Sequence, residues 1–306
     1  MNLRTLILTI NSCKKAYRNY LKVLFTLYKR RKVTHNQSVN IRILLRDGNS
    51  YSVPYGWVVA YAYMIYIESN IINKNISEIK LTEEGLSFTY KGHYVCIDPA
   101  RFSDPFAVFL YEEYEYLYVK DKEVIDIGMN IGDSVIYFSL NGAKRVIGLE
   151  PFPYSFSFAD KNVKLNHISN VILLNAGYGK DSKVFVDADK ISSNDSSLVT
   201  ADKGKEIPIL SLKTLINQYN MKNVILKMDC EGCEYALIDE DDEIFNNIEM
   251  IQIEYHYGYG NLLDKLKRYG YDVKFTEPRK GFNSIEGNQN SRVGYIYATK
   301  IGKKQY

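Results

Sequence analysis

The chain has 306 residues, 46% apolar and 25% charged with a net charge of +3, enough to bury a sizeable core and ordinary for a globular protein. Its 4 scattered cysteines exclude a secreted disulfide scaffold. With no convincing signal peptide and no uninterrupted apolar run of about 18 residues, the expectation is a cytoplasmic protein without a membrane span and without a nucleic-acid partner.

Positive charge is concentrated at the N-terminus, where residues 1–35 hold nine Lys or Arg and no acid. Leu3, Leu6, Ile7, Ile10, Tyr17, Leu21, Leu24 and Tyr28 recur at steps of three and four, which predicts an amphipathic helix. Lys14, Lys15, Arg18, Lys22 and Lys29 are interleaved with that stripe. Such a helix docks on the body with a solvated basic face, the preferred reading, or lies on the anionic inner face of a membrane.

Residues 36–105 read as an ancillary α+β module without visible chemistry. Val39–Leu45 is strand-like and ends at the turn signal Asp47-Gly48, and Val58–Ile67 is an apolar run that suits a buried helix or strand. Ile79–Leu81, Leu86–Tyr90 and Tyr94–Ile97 suit a small antiparallel set.

From residue 106 to 306 strands alternate with helices. The strands are Glu123–Ile127, Arg145–Leu149, Val171–Asn175, Asn223–Met228 and Met250–Glu254, with helices at Gly132–Leu140, Tyr154–Leu165, Leu212–Tyr219 and Leu262–Tyr269. A helix opens at Tyr235–Asp239, a hairpin lies near Lys183–Val186, and Tyr271–Phe275 with Val293–Thr299 forms a closing antiparallel pair. This alternation predicts an α/β domain with a doubly wound, mostly parallel sheet. The polar stretch Asp187–Glu206 is long for a compact domain and is read as a lid.

The chemistry concentrates at strand ends. The first strand of the alternating region runs through Asp126 into Gly128-Met-Asn130-Ile-Gly132-Asp133-Ser134, a glycine turn opening a helix. Ligands of open α/β sheets sit at such carboxyl ends, and Gly128 and Gly132 are expected to let backbone approach a ligand. Asn130 stands where a dinucleotide fingerprint has its middle glycine, which disfavours a nicotinamide-dependent oxidoreductase. Asp126, Asn130 and Asp133 suit the ammonium, carboxylate and hydroxyls of a sulfonium amino-acid nucleoside instead. The second strand ends at Glu150-Pro151, about 22 residues beyond Gly128, where an acid accepts ribose hydroxyls. The third ends at Asn175-Ala176, beside which an adenine ring can rest.

The later strands deliver carboxylates and a histidine. Leu226-Lys-Met-Asp-Cys-Glu-Gly-Cys-Glu234 brings Asp229, Glu231 and Glu234 to one rim, and Glu254 and His256 end the next strand. An acceptor hydroxyl must lose a proton as it attacks a methyl group, so Asp229, Glu231 and His256 are the candidate catalytic residues. Glu234 is read as a solvated or capping acid. Cys230-x-x-Cys233 has the spacing of a redox or zinc pair, but no second Cys or His pair completes a zinc site and thioredoxin-like folds place the motif after their first strand, so the two are read as small packing residues and no metal is assigned.

These segments together resemble the FkbM family of methyltransferases. The family's Asp-x-Gly-Ala-Asn-x-Gly turn appears at Asp126–Gly132, its Gly-Ala…Glu-Pro at Gly142–Pro151, its Leu-Lys-x-Asp-x-Glu-Gly-x-Glu at Leu226–Glu234, and its Glu-x-His at Glu254–His256. Met129 departs from the family alanine and is expected to crowd the turn; Cys230 and Cys233 depart from small apolar residues. The resemblance implies a Rossmann-like class I fold, S-adenosylmethionine as cofactor, and methylation of an oxygen on a sugar, glycan or other small-molecule acceptor. It implies cofactor contacts from Asp126, Gly128, Asn130, Gly132 and Glu150, to which neighbouring Asp133, Ser134, Pro151, Asn175 and Ala176 are added. A module that holds the cofactor without turnover stays open as the alternative.

Overall fold

The structure is a computed structural model that describes residues 3–30, 40–68, 75–99, 108–186, 204–280 and 292–302. The chain divides into two compact units, Met1–Glu113 and Tyr114–Tyr306.

The first unit begins with α1 (Leu3–Ala16) and α2 (Tyr20–Arg30), so the single helix expected from the apolar stripe is broken. The cause is Tyr17. It is fully buried, its backbone bridges Leu45, and its hydroxyl donates to the Val58 carbonyl at 2.6 Å. α2 buries Val23 and Leu27 while Leu21, Phe25 and Tyr28 remain exposed. A hairpin, β1 (Asn40–Leu44) and β2 (Ser50–Pro54), turns at Asp47-Gly48 and leads to α3 (Tyr55–Glu68). The ambiguous apolar run is therefore helical. β3 (Ile76–Leu81), β4 (Leu86–Tyr90) and β5 (His93–Ile97) form an antiparallel sheet, with Phe88 and Tyr90 packed edge-on to Phe109.

The second unit is built on β6 (Glu123–Ile127), α4 (Asp133–Leu140), β7 (Arg145–Leu149), α5 (Pro153–Leu165), β8 (Val171–Leu174), β9 (Gly177–Tyr178), β10 (Ser182–Val186) and β11 (Lys205–Leu210). It continues with α6 (Leu212–Gln218), β12 (Val224–Met228), β13 (Ile248–Tyr255), α7 (Gly260–Arg268), β14 (Tyr271–Phe275), β15 (Arg279–Lys280) and β16 (Arg292–Lys300). The main sheet runs β14-β16-β13-β12-β6-β7-β8, with β15 paired to β16. β8, β7, β6, β12 and β13 are parallel, and β16 is antiparallel to both β13 and β14. The chain thus winds outward from β6 to β8 and returns to the other side of β6 at β12. With right-handed crossovers this reversal places helices on both faces, so the sheet is doubly wound and Rossmann-like.

β6 and β12 are buried at every position and are apolar apart from Glu123, Asp126 and Lys227. A strand covered on both faces needs such continuous apolar runs rather than alternation. Between β12 and β13 lie two 3-10 helices, Cys233–Asp239 and Asp242–Asn246, in place of the α-helix that the sequence predicts to open at Tyr235. β10 pairs antiparallel with β11, which joins β9, so the hairpin expected at Lys183–Val186 is a single strand whose partner lies beyond residues 187–203. The lid read from the polar composition falls at residues 187–203, outside the described residues; Lys205 and Glu206 belong to β11.

Candidate active site

The winding reverses between β6 and β12, and their carboxyl ends meet there. Asp229 N–H donates to the Ile127 carbonyl at 3.0 Å, carrying the pairing one residue past the strand. A Cβ on Gly128 would sit 1.8 Å from the Asp229 carbonyl oxygen, and φ is 80°. Glycine is obligatory at this point because two backbones meet. Gly132 has a similar cause: at φ 83° it starts α4, and its Cβ would lie 3.0 Å from Ala159 Cα on α5. Asn130, between them, is left-handed with φ 47°, which Asn tolerates better than most residues. Met129 does not crowd the turn's mouth as expected. It is fully buried and packs toward Gly148 on β7, where a Cβ would meet its Sδ at 2.4 Å.

Beneath the turn lies a charge cluster that the sequence motifs only half reveal. Lys227 is 2% exposed, donates to the Gly128 carbonyl at 2.8 Å and forms an ion pair with Asp126 Oδ1 at 2.8 Å. Asp126 and Lys227 stand opposite each other in the β6–β12 register. Asp126 Oδ2 accepts from the Ser134 hydroxyl, so this carboxylate organises the turn from below. Burial alone would lower the Lys227 pKa; Asp126, then Asp229 and Asp133, outweigh it and hold the ammonium above its usual value.

Two buried carboxyls face less compensation. Glu150 is 3% exposed; its Oε2 accepts from Asn130 N–H at 3.1 Å and its Oε1 from Phe152 N–H at 2.9 Å. Burial nevertheless pushes it up to about 8. Burial likewise pushes Asp133 up to about 7, with its Oδ1 accepting from Ser134 N–H. Asn175 donates to the Glu150 and Pro151 carbonyls and accepts from Lys205, fixing the segment after β8, and Ala176 is buried.

Across the switch point, β12 and β13 bring together Asp229, Glu231 and His256. One ligand-type atom from each lies within 4.8 Å of the others, an oxygen–oxygen–nitrogen set that could hold a divalent cation. The organising residue is Glu234, and it is not the solvated or capping acid that its sequence position suggests. It is fully buried: Oε1 lies 3.0 Å from His256 Nδ1 and accepts from His256 N–H at 2.9 Å, while Oε2 accepts from Gly232 N–H at 2.8 Å. Its carboxylate therefore fixes the imidazole and turns Nε2 toward Glu231, whose Oε2 lies 3.3 Å away. Desolvation would lower the His256 pKa, but Glu234, then Glu231 and Asp229, raise it to about 9. Half-buried Glu231 is pushed up to about 7, by burial first and then by Asp229 and Glu234 against the pull of His256. Cys230 and Cys233 are not independent packing residues: they are joined by a disulfide across the loop that carries Glu231.

A doubly wound sheet with a glycine turn at its switch point and a buried acid one strand over has the architecture of the Rossmann-like nucleotide- and cofactor-binding folds. Residues 126–273 match the methyltransferase FkbM domain family, and the chain belongs to that family. It is 31% identical over 171 residues to the uncharacterized protein 158B of Sulfolobus islandicus rod-shaped virus 1, covering 54% of this chain and 84% of that one. It is 24% identical over 158 residues to the ribosomal protein L11 methyltransferase of Alkaliphilus oremlandii, covering 51% of this chain and 47%, about half, of that protein's length. Among solved structures it is similar to M. jannaschii TYW2 in complex with AdoMet, at 16% identity and TM-score 0.38, covering 74% and 90% of the two chains.

The chain is accordingly an S-adenosylmethionine-dependent methyltransferase. The residues at the β6 and β7 tips fit that cofactor. Glu150 and Asp133 are desolvated carboxyls with hydrogen-bonding capacity left on their oxygens, and hydroxyl or ammonium donors would offset the cost of their burial.

Proposed function

We propose that the protein transfers the methyl group to a hydroxyl oxygen of a sugar, glycan or other small metabolite. The observation that carries this reading is the Asp229–Glu231–His256 cluster beside the switch point, because an oxygen acceptor must lose a proton where an already nucleophilic amine need not. Cofactor-binding roles fall to Glu150 for the ribose, the Gly128–Gly132 turn with Asp133 and Ser134 for the methionine moiety, and Pro151, Asn175 and Ala176 for the adenine side. Asp126 acts from beneath the turn.

When bound, S-adenosylmethionine supplies a methyl group on a positively charged sulfur whose departure needs no proton. The protein's part is then to hold the acceptor oxygen in line and receive its proton. Glu231 suits the second role. Raised to about 7, it is partly ionised at neutral pH, close to the optimum for a general base. His256, raised to about 9, is an imidazolium at neutral pH and so positions Glu231 rather than taking the proton. Glu234 holds the imidazole, and Asp229 adds negative potential on the acceptor side. The test is the pH dependence of kcat with sugar and glycan acceptors. Activity should fall below about pH 7, and Glu231→Gln should lower kcat by about 10²- to 10⁴-fold with little change in cofactor affinity. Wild-type rates in Glu231→Gln would refute the assignment.

We also propose that the N-terminal helices bring the enzyme to an anionic membrane surface. Leu21, Phe25 and Tyr28 are exposed at i, i+4 and i+7 on α2, beside Lys22 and Lys29, in a segment without acids. Among the described residues no helix is long and apolar enough to cross a bilayer.

A further inference from the structure

The four cysteines fall into two kinds. Cys13 and Cys96 are buried and in no disulfide, and burial pushes Cys13 up to about 12, which makes it inert. Cys230 and Cys233 are bonded to each other and half-buried, within reach of a solvent-borne reductant. Their bridge spans the loop that leaves β12 at the switch point.

That loop is tied at both ends. Asp229 N–H is anchored to Ile127 O, and Gly232 N–H is anchored to Glu234 Oε2. Inside the ring closed by the disulfide lie Glu231, left-handed at φ 56°, and Gly232 at φ 119°. The left-handed region is unfavourable for glutamate, so the loop needs a constraint to keep that carboxylate turned to His256. Cys230 Sγ also lies 3.6 Å from Glu234 Oε2, the carboxylate that holds the imidazole. The bridge therefore closes the loop that carries Glu231 and lies against Glu234, the two acids that flank His256.

We propose that Cys230–Cys233 is a reversible thiol–disulfide site whose redox state sets the geometry of the Glu231–His256–Glu234 cluster, with a dithiol reductant as its chemical partner. In the exchange one thiolate of the dithiol attacks a bridge sulfur, and its second thiol then displaces the mixed disulfide. The S–S bond takes up two electrons and two protons to give two thiols, and the partner leaves as its own disulfide. The Cys230 S–H formed on reduction, 3.6 Å from Glu234 Oε2, can donate to that oxygen. Reduction thus frees Glu231 from its constrained conformation and draws Glu234 charge away from His256. Both changes weaken the hold on the imidazolium. The oxidised form is the competent one, a consequence that rests on the acid–base reading given above.

The experiment is amide hydrogen exchange of the full chain by NMR, with and without dithiothreitol, read at the His256 N–H that donates to Glu234 Oε1 and assigned by the signal missing in His256→Gln. Thiols counted in denaturant should number two before reduction and four after it. Exchange at the His256 amide should quicken by at least about ten-fold on reduction as the Glu234 anchor loosens. Cys230→Ser/Cys233→Ser should show the fast exchange whether or not dithiothreitol is present; if that variant does not fold, the wild-type pair of measurements decides. Identical exchange at His256 in oxidised and reduced protein, or four thiols that a mild oxidant does not remove, would overturn the proposal. Neither readout needs methyl transfer, so failure here is distinct from failure of the acceptor assignment.

Discussion

At the scale of single residues, the site depends on a lysine and a glutamate to which the motifs alone give no such roles. Lys227 interrupts the apolar run Val224–Met228 and Asp126 interrupts Glu123–Ile127. A charge in the middle of each of two neighbouring buried strands is a signal that they are partners, and the parallel register pairs them. Glu234 carries no such signal, because an acid after Gly-Cys looks the same whether it caps a helix or supports a histidine. Lys227→Met should therefore be costly beyond its volume. It leaves Asp126 charged and buried, which costs about 3–5 kcal/mol in urea unfolding, and pairing it with Asp126→Asn should recover part of the loss. A Lys227→Met protein as stable as wild type would show that the ion pair is not needed.

At the scale of elements, the strands are legible because buried parallel strands are continuous apolar runs, and the Gly128–Gly132 turn because glycine marks it. The reason for Gly128 is not legible: its neighbour is the Asp229 backbone, about 100 residues away in sequence and adjacent only once β6 pairs with β12. The break between α1 and α2 is hidden for the same kind of reason, since Tyr17 fits a helical stripe and departs from it only to reach Val58 and Leu45. On α2 the apolar arc is wider than docking requires, because Val23 and Leu27 already supply the buried face. Flotation with phosphatidylserine vesicles tests the use of the remainder. Leu21→Ser/Phe25→Ser/Tyr28→Ser should cut recovery several-fold, and high salt should weaken wild-type binding. Equal recovery of variant and wild type would dismiss the membrane reading.

At the scale of the whole molecule, the shifts at the site all have one direction. Glu150 rises from 4.5 to about 8, Glu231 from 4.5 to about 7, Asp133 from 3.8 to about 7, and His256 from 6.5 to about 9. In every case the folded protein keeps a proton that the unfolded chain has released. The stability each contributes is fully present below its ordinary pKa and is lost as pH rises through the folded one. Cofactor-free protein should therefore lose stability across pH 4–9, with Tm falling by several degrees. Saturating S-adenosylmethionine should raise Tm most at the alkaline end, where Glu150 is ionised and ready to accept hydroxyls. A Tm that increased steadily from pH 5 to 8 would contradict this.

The idea that the tips of β6 and β7 grip the cofactor is tested most directly by calorimetric titration of S-adenosylmethionine in two buffers of different ionisation enthalpy. Wild-type protein should bind with net release of a proton at pH 7 as Glu150 ionises against the ribose, and Glu150→Ala should lose at least about thirty-fold in affinity while keeping its far-ultraviolet spectrum. Undiminished affinity in folded Glu150→Ala would contradict the assignment of this site.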